Sequence, residues 1–188
     1  MSTPLEGLRV IELAHVMAGP ICGLFLGDLG ADVIKVERLP GGDTTRYFSP
    51  PEIEGESAAF MMLNRGKRGV ALDLRTEEGR AVVRQMVSSA DVVIENFRAG
   101  TMERMGLGYE ALALLNERLI YCQVTGFGRT GPLSSYGGFD LIAQGYSGLM
   151  SVTGEGPDRE PVKVGAPLTD ITAGILASFG VVCAVLER

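Results

Sequence analysis

Asp170 is the only charged residue between Val164 and Leu186. It follows an extended segment, Pro161-Val162-Lys163-Val164-Gly165-Ala166-Pro167, and precedes a strongly apolar stretch from Ile171 to Leu186. A carboxylate there either caps a helix start, accepting hydrogen bonds from its free N–H groups, or does covalent chemistry. His15 is the only histidine. No Cys or His neighbours it at metal-ligand spacing, and no Gly-x-Ser-x-Gly elbow offers a serine for a triad, so a structural or ligand-contact role is expected for it. Arg38, Arg75, Arg98 and Arg104 stand near predicted strand ends or helix starts. If they converged on one rim they could hold a polyanion, because guanidinium forks match phosphate geometry. Glycines 19, 23, 27 and 30 do not give the G-x-G-x-x-G spacing of a dinucleotide site. Ala18-Gly19-Pro20 could still present backbone N–H groups to a ligand from a helix start.

Alternating elements must position these residues. Strands are expected over 8–13, 32–37, 69–74, 91–96 and 119–124. Helices are expected over 20–29, stopped by Gly30, over 76–90, with Glu77 and Glu78 at its N-terminal end, over 111–116, and along the apolar stretch after Asp170. Strands alternating with helices predict an α/β fold, a parallel sheet covered on both faces. Such sheets bind ligands beyond the carboxyl ends of their strands, which directs attention to residues 15–20, 38–44, 75, 96–98 and 125–131. Residues 39–67 read as an irregular excursion, a functional or interface loop. The chain stops at Glu187-Arg188 directly after an apolar helix, with no closing strand, where either a doubly wound domain ends or a piece of a longer protein is cut.

Composition narrows the function. The 188 residues suffice for one packed domain. A net charge of −6 and the absence of Trp argue against nucleic-acid binding. Cys22, Cys122 and Cys183 are dispersed among apolar neighbours without a CxxC, the pattern of buried reduced thiols in the cytoplasm. The N-terminus lacks a secretory pattern. Residues 171–186 read as a core helix too short to span a membrane, so no membrane partner is expected.

His15-Val-Met-Ala-Gly-Pro followed by Leu29-Gly-Ala-Asp-Val-Ile-Lys-Val-Glu-Arg38 resembles the class III CoA-transferases, of which formyl-CoA transferase is the type. The resemblance continues through Asn64-Arg-Gly-Lys-Arg, Leu72-Asp-Leu-Arg, Asp91-Val-Val-Ile-Glu-Asn-Phe97, Arg104-Met-Gly-Leu and Val124-Thr-Gly-Phe-Gly-Arg-Thr-Gly-Pro132. It ends on Val164-Gly-Ala-Pro-Leu-Thr-Asp170. It implies a Rossmann-like, doubly wound CoA-binding domain with Asp170 as the catalytic nucleophile. It also implies CoA contacts at Val16, Met17, Ala18, Arg38, Leu72 to Arg75, Asn96, Phe97, Arg98, Arg104, Thr125, Gly126 and Phe127.

The same resemblance implies acyl-CoA and carboxylic acid as substrates, no permanently bound cofactor or metal, and an interlocked homodimer. Residues 1–188 would be the N-terminal part of the large domain, with a second domain and a glycine-rich loop beyond. Formyl-CoA transferase has Gln where Met17 stands, which speaks against oxalate or formate. Three rivals remain. A racemase of the same superfamily would have Gly-His-Asp where this chain has Gly138-Phe139-Asp140. The others are a noncatalytic CoA-binding module and an NADP-dependent oxidoreductase using Arg38.

Overall fold

The computed structural model describes residues 2–156 and 158–188. Its elements run β1 (Arg9–Glu12), α1 (Ala18–Asp28), β2 (Asp32–Arg38), β3 (Glu52–Ile53), β4 (Glu56–Ser57), α2 (Ala58–Asn64), β5 (Arg68–Leu72), α3 (Glu77–Val87), β6 (Val92–Glu95), α4 (Thr101–Arg104), α5 (Tyr109–Ala113), β7 (Ile120–Gln123), α6 (Asp140–Tyr146) and α7 (Leu168–Glu187). Short 3-10 turns occupy Thr44–Tyr47 and Leu149–Val152.

Five strands form one sheet in the order β5-β2-β1-β6-β7, and every pairing in it is parallel. Alternation along the strands sends side chains to two cores. Val10, Val33, Val92 and Ile94 pack with Cys22 and Leu26 of α1 and Val181 of α7. Ile11, Val36 and Val93 pack with Val83 and Val87 of α3, Met102 of α4 and Leu112 of α5. Apolar residues on both faces of one strand are what a sheet covered on both sides requires. The fold is the Rossmann-like, doubly wound arrangement expected. From β1 the chain winds outward through β2 and β5, then returns to β6 and β7 on the other side. Strand order therefore reverses between β1 and β6, and the ligand crevice of such sheets opens at that point.

Element boundaries follow local chemistry. Thr76 caps α3 through Gly79 N–H at 3.1 Å, and Gly30, at φ +103°, ends the turn after α1. Residues 39–67 are more ordered than their Gly- and Pro-rich sequence suggested. They hold a 3-10 turn, the β3–β4 hairpin and α2, whose first turn is capped by Ser57 through Phe60 N–H.

The last helix differs most from expectation. α7 begins at Leu168, with Pro167 at its cap position, so Asp170 is its third residue rather than its N-cap. At 20 residues and a mean hydropathy of 1.9, α7 is long and apolar enough to cross a membrane by length and composition. Nor is it the fully enclosed core helix the sequence suggested. One side, through Gly174, Ser178 and Val181, is buried, while Leu176, Phe179 and Leu186 are exposed. Cys183 lies on the exposed side and Cys122 is half-buried, so only Cys22 fits the buried thiol expected of all three.

Candidate active site

The loops leaving β1, β6 and β7 enclose a cavity of about 460 Å³ at the reversal point. His15 to Ala18 form one wall, Asn96 to Ala99 a second, and Val124 to Gly126 a third. Tyr136 to Phe139 and Asp170 close it. Asp170 reaches the cavity because α7 lies tightly on α1. Gly174 is one turn beyond Asp170, and a Cβ built there would fall 2.6 Å from Ile21 Cβ and 2.7 Å from the Ala18 carbonyl oxygen. Only a residue without a side chain lets the helices approach this far. That approach sets Asp170 opposite the start of α1.

The cap that Asp170 does not provide comes from Asp140 on α6. Asp140 Oδ1 accepts from Thr169 N–H at 2.8 Å and from the Thr169 hydroxyl at 2.7 Å. Its Oδ2 accepts from Gln144 Nε2 at 2.6 Å, and the buried Gln144 in turn accepts from Val164 N–H at 2.8 Å. This cluster ties α6, the segment before α7 and the first turn of α7 together. The Thr169 and Gln144 bonds hold the Asp140 carboxyl below its ordinary range despite some burial. Asp170 goes the other way. Burial first, and the Asp140 charge second, push it above the ordinary carboxylate value. A helix start favours the anion, but that effect is about 0.3–1 kcal/mol, and desolvation with a like charge outweighs it.

The wall at residues 15–18 is held in an unusual shape. Val16 has φ +64°, a left-handed conformation costing a β-branched residue roughly 1–3 kcal/mol. Clamps stand on both sides of it. Asn96 Oδ1 accepts from His15 N–H at 2.9 Å while Asn96 Nδ2 donates to the His15 carbonyl at 2.8 Å. The Asp43 carboxylate accepts from Val16 N–H at 3.2 and 3.3 Å. Behind Asp43 lies Lys35, almost fully buried, with Nζ 2.9 Å from Asp43 and 3.0 Å from Glu12. Burial pulls the Lys35 ammonium down, but the two carboxylates more than offset it and hold it above its usual value. Asp43 is correspondingly held below its ordinary value, Lys35 and the Thr45 hydrogen bonds overcoming burial. His15 packs its ring on Phe97 at 5.4 Å, and burial lowers its pKa, favouring the neutral imidazole.

Of the residues singled out in the sequence, Val16, Met17, Ala18, Asn96, Phe97, Arg98, Thr125, Gly126 and Asp170 line this one cavity. Arg38 lines a smaller one of about 160 Å³, which shares His15 and Phe97 with the first. Leu72, Arg75, Arg104 and Phe127 line neither. Leu72 pairs with Arg38 across β5 and β2, Arg75 is held by Asp73 at 2.8 Å, Arg104 donates to Thr101, and Phe127 meets Tyr146 edge-on. Of the four arginines, Arg98 lines the larger cavity, Arg38 the smaller one, and Arg75 and Arg104 neither. Sequence reasoning missed Asp43 and did not give Asp140 its capping place. An Asp two residues before a Thr is a turn signal that could have marked Asp43. Nothing in the sequence marked Asp140 as the cap of a distant helix.

Comparison with known proteins agrees with the geometry. The family model for CoA-transferase family III matches residues 5–188. A succinate–glutarate CoA-transferase of Agrobacterium fabrum is 51% identical over 190 residues, covering 98% of this chain and 47% of that protein. A mouse succinyl-CoA:glutarate CoA-transferase is 42% identical, covering 98% of this chain and 42% of its own length. The crystal structure of a CaiB/BaiF family protein from Brucella suis superposes with a TM-score of 0.95 at 50% identity, covering all of this chain and 50% of that one. The chain spans about half the length of the curated relatives it matches. A parallel sheet with its crevice at the β1–β6 reversal, an aspartate at the crevice, and a match across almost the whole sequence lead to one assignment: the chain belongs to CoA-transferase family III.

Proposed function

We propose that the protein to which this chain belongs moves CoA from an acyl-CoA to a carboxylic acid, with Asp170 as covalent nucleophile. The observation that carries this reading is a half-buried carboxylate, the only one among the described residues lining the cavity, in a wall it shares with the free-amide start of α1. An Asp170 oxygen attacks the thioester carbonyl carbon, the C–S bond breaks, and CoA leaves as thiolate from a mixed anhydride. The thiolate attacks the Asp170 carbonyl carbon, releasing the first acid as a carboxylate and leaving an aspartyl-CoA thioester. The acceptor carboxylate attacks that thioester and the sequence runs back, regenerating Asp170. Covalent catalysis divides one hard exchange into accessible steps. Each step keeps the electron pairs and needs no redox partner.

Partial desolvation suits the nucleophile, since water that would stabilise its charge is partly removed. Backbone N–H groups of Met17, Ala18 and Gly19 have no acceptor among the described residues, and are suited to the oxyanion of each tetrahedral intermediate. The named relatives act on succinate with glutarate, which supports a dicarboxylate acceptor here. CoA would run from the larger cavity toward Arg38 in the smaller one, with Arg98 between. The racemase reading is not favoured, because Phe139 stands where its histidine would. The apolar side of α7 would be covered in a full-length homodimer, and a cytoplasmic location is carried forward with it. The test is a CoA-transfer assay on the natural-length protein with succinyl-CoA and glutarate. Transfer by wild type and its loss in Asp170→Ala support the reading, while full activity in Asp170→Ala sinks it.

A further inference from the structure

The left-handed Val16 is held by a chain of charges that runs through the core. Lys67 Nζ lies 2.8 Å from Glu12 Oε2, Glu12 Oε1 lies 3.0 Å from Lys35 Nζ, and Lys35 Nζ lies 2.9 Å from Asp43 Oδ2. Asp43 then accepts from Val16 N–H. Each of the four side chains is at most 2% exposed, and their signs alternate. Gly23 makes room for this on α1, since a Cβ there would overlap the Glu12 carboxylate.

Buried ion pairs are weak sources of stability, and well-packed apolar residues often do as well. The chain does, however, supply an anionic acceptor at a backbone position that nothing local would support. Asn and Asp can stabilise a left-handed conformation through their own side chains; Val cannot. Without an acceptor for its N–H, Val16 would relax toward negative φ and carry Met17 and Ala18 with it.

We infer that Asp43, fixed by Lys35, is a positioning residue for the reaction: it holds Val16 left-handed so that the 16–18 wall stands against Asp170. This rests on the reading of the larger cavity as the thioester site. The competing role for Asp43 is purely structural, because it also caps the Thr44–Tyr47 turn through Thr45 N–H and Thr45 Oγ1, both at 2.9 Å.

The two roles separate in a rescue experiment on the natural-length protein. Asp43→Ala removes the acceptor, and kcat/KM for CoA transfer should fall roughly tenfold to a hundredfold, the scale of a small misplacement of reacting groups. Adding Val16→Gly gives a residue that adopts φ near +64° without a steric penalty. The double variant should recover most of the lost kcat/KM. Its thermal midpoint should recover at most in small part, because Lys35 still lacks one of its two carboxylate partners. A double variant no more active than Asp43→Ala, or activity that returns only in step with the midpoint, overturns the inference. If Asp43→Ala does not fold, Asp43→Ala combined with Lys35→Met, which removes the acceptor without leaving the Lys35 charge short of a partner while Glu12 keeps Lys67, gives the same comparison with and without Val16→Gly. A wild type without CoA transfer overturns the proposed function and this inference together. An active wild type with unrescued variants overturns this inference alone.

Discussion

Glu95 should make the fold less stable as pH rises, and Glu95→Gln should remove that dependence. Glu95 ends β6 under the Asn96–Arg98 wall, fully buried, with Oε2 accepting from Phe97 N–H at 2.8 Å. Its Oε1, the Tyr121 hydroxyl and Gln123 Oε1 are buried without a hydrogen-bond partner among the described residues. Burial, only partly opposed by the Phe97 N–H, raises its pKa from 4.5 to about 7. The folded state therefore holds a proton that the unfolded state has lost between those values. This favours the fold fully below pH 4.5, and the advantage disappears as pH rises to about 7. At about 1.4 kcal/mol for each pH unit of that window, the swing is on the order of 3 kcal/mol. Gln has nearly the same shape and does not titrate. Urea denaturation of wild type and variant between about pH 5 and about pH 8.5 should show Glu95→Gln gaining roughly 2–3 kcal/mol relative to wild type as pH rises. Taking the difference cancels carboxylates common to both. A difference that stays flat within about 0.5 kcal/mol, or that runs the other way, refutes the assignment of a buried, protonatable Glu95.

Two further outcomes bear on Asp170. Gly174→Ala should overpack the α1–α7 contact and cost about 1–3 kcal/mol in urea denaturation; a gain of about 1 kcal/mol, as expected at an unstrained helical glycine, would show that the close approach does not hold. Asp140→Asn keeps an acceptor for Thr169 N–H but removes the negative charge that helps raise the Asp170 pKa. The acid limb of the pH profile of kcat/KM should move to lower pH, and a limb that stays put or rises would remove Asp140 from the electrostatics of the site.

The sheet was legible because its signal is local. Leu8–Leu13, Asp32–Glu37 and Asp91–Asn96 are short apolar runs beside turn residues, and each became a central strand within a residue or two. Thr76 with Glu77 and Glu78 announced α3 in the same way. The crevice followed from the rule that parallel sheets bind at their carboxyl ends, and most of the residues read there do meet at one cavity. What failed was non-local. Asp170 looked like an N-cap because the sequence shows only neighbours, whereas the first turn of α7 takes its cap from Asp140, 29 residues before Thr169. The helix could then begin at Leu168 and become longer than Asp170 as a start would allow. Asp43 was lost inside a Gly-rich loop because its partners are distant in sequence, Val16 in the loop after β1 and Lys35 in the middle of β2.

The most direct measurement is covalent trapping of the natural-length protein during turnover. Incubation with succinyl-CoA, quenching with hydroxylamine and peptide mapping by mass spectrometry reads which carboxyl was activated, because anhydrides and thioesters of Asp give a hydroxamate and free carboxylates do not. The account predicts a hydroxamate on the peptide carrying Asp170, dependent on acyl-CoA and absent in Asp170→Ala. An active enzyme whose Asp170 stays unmodified, or whose label falls on another carboxylate, would contradict it.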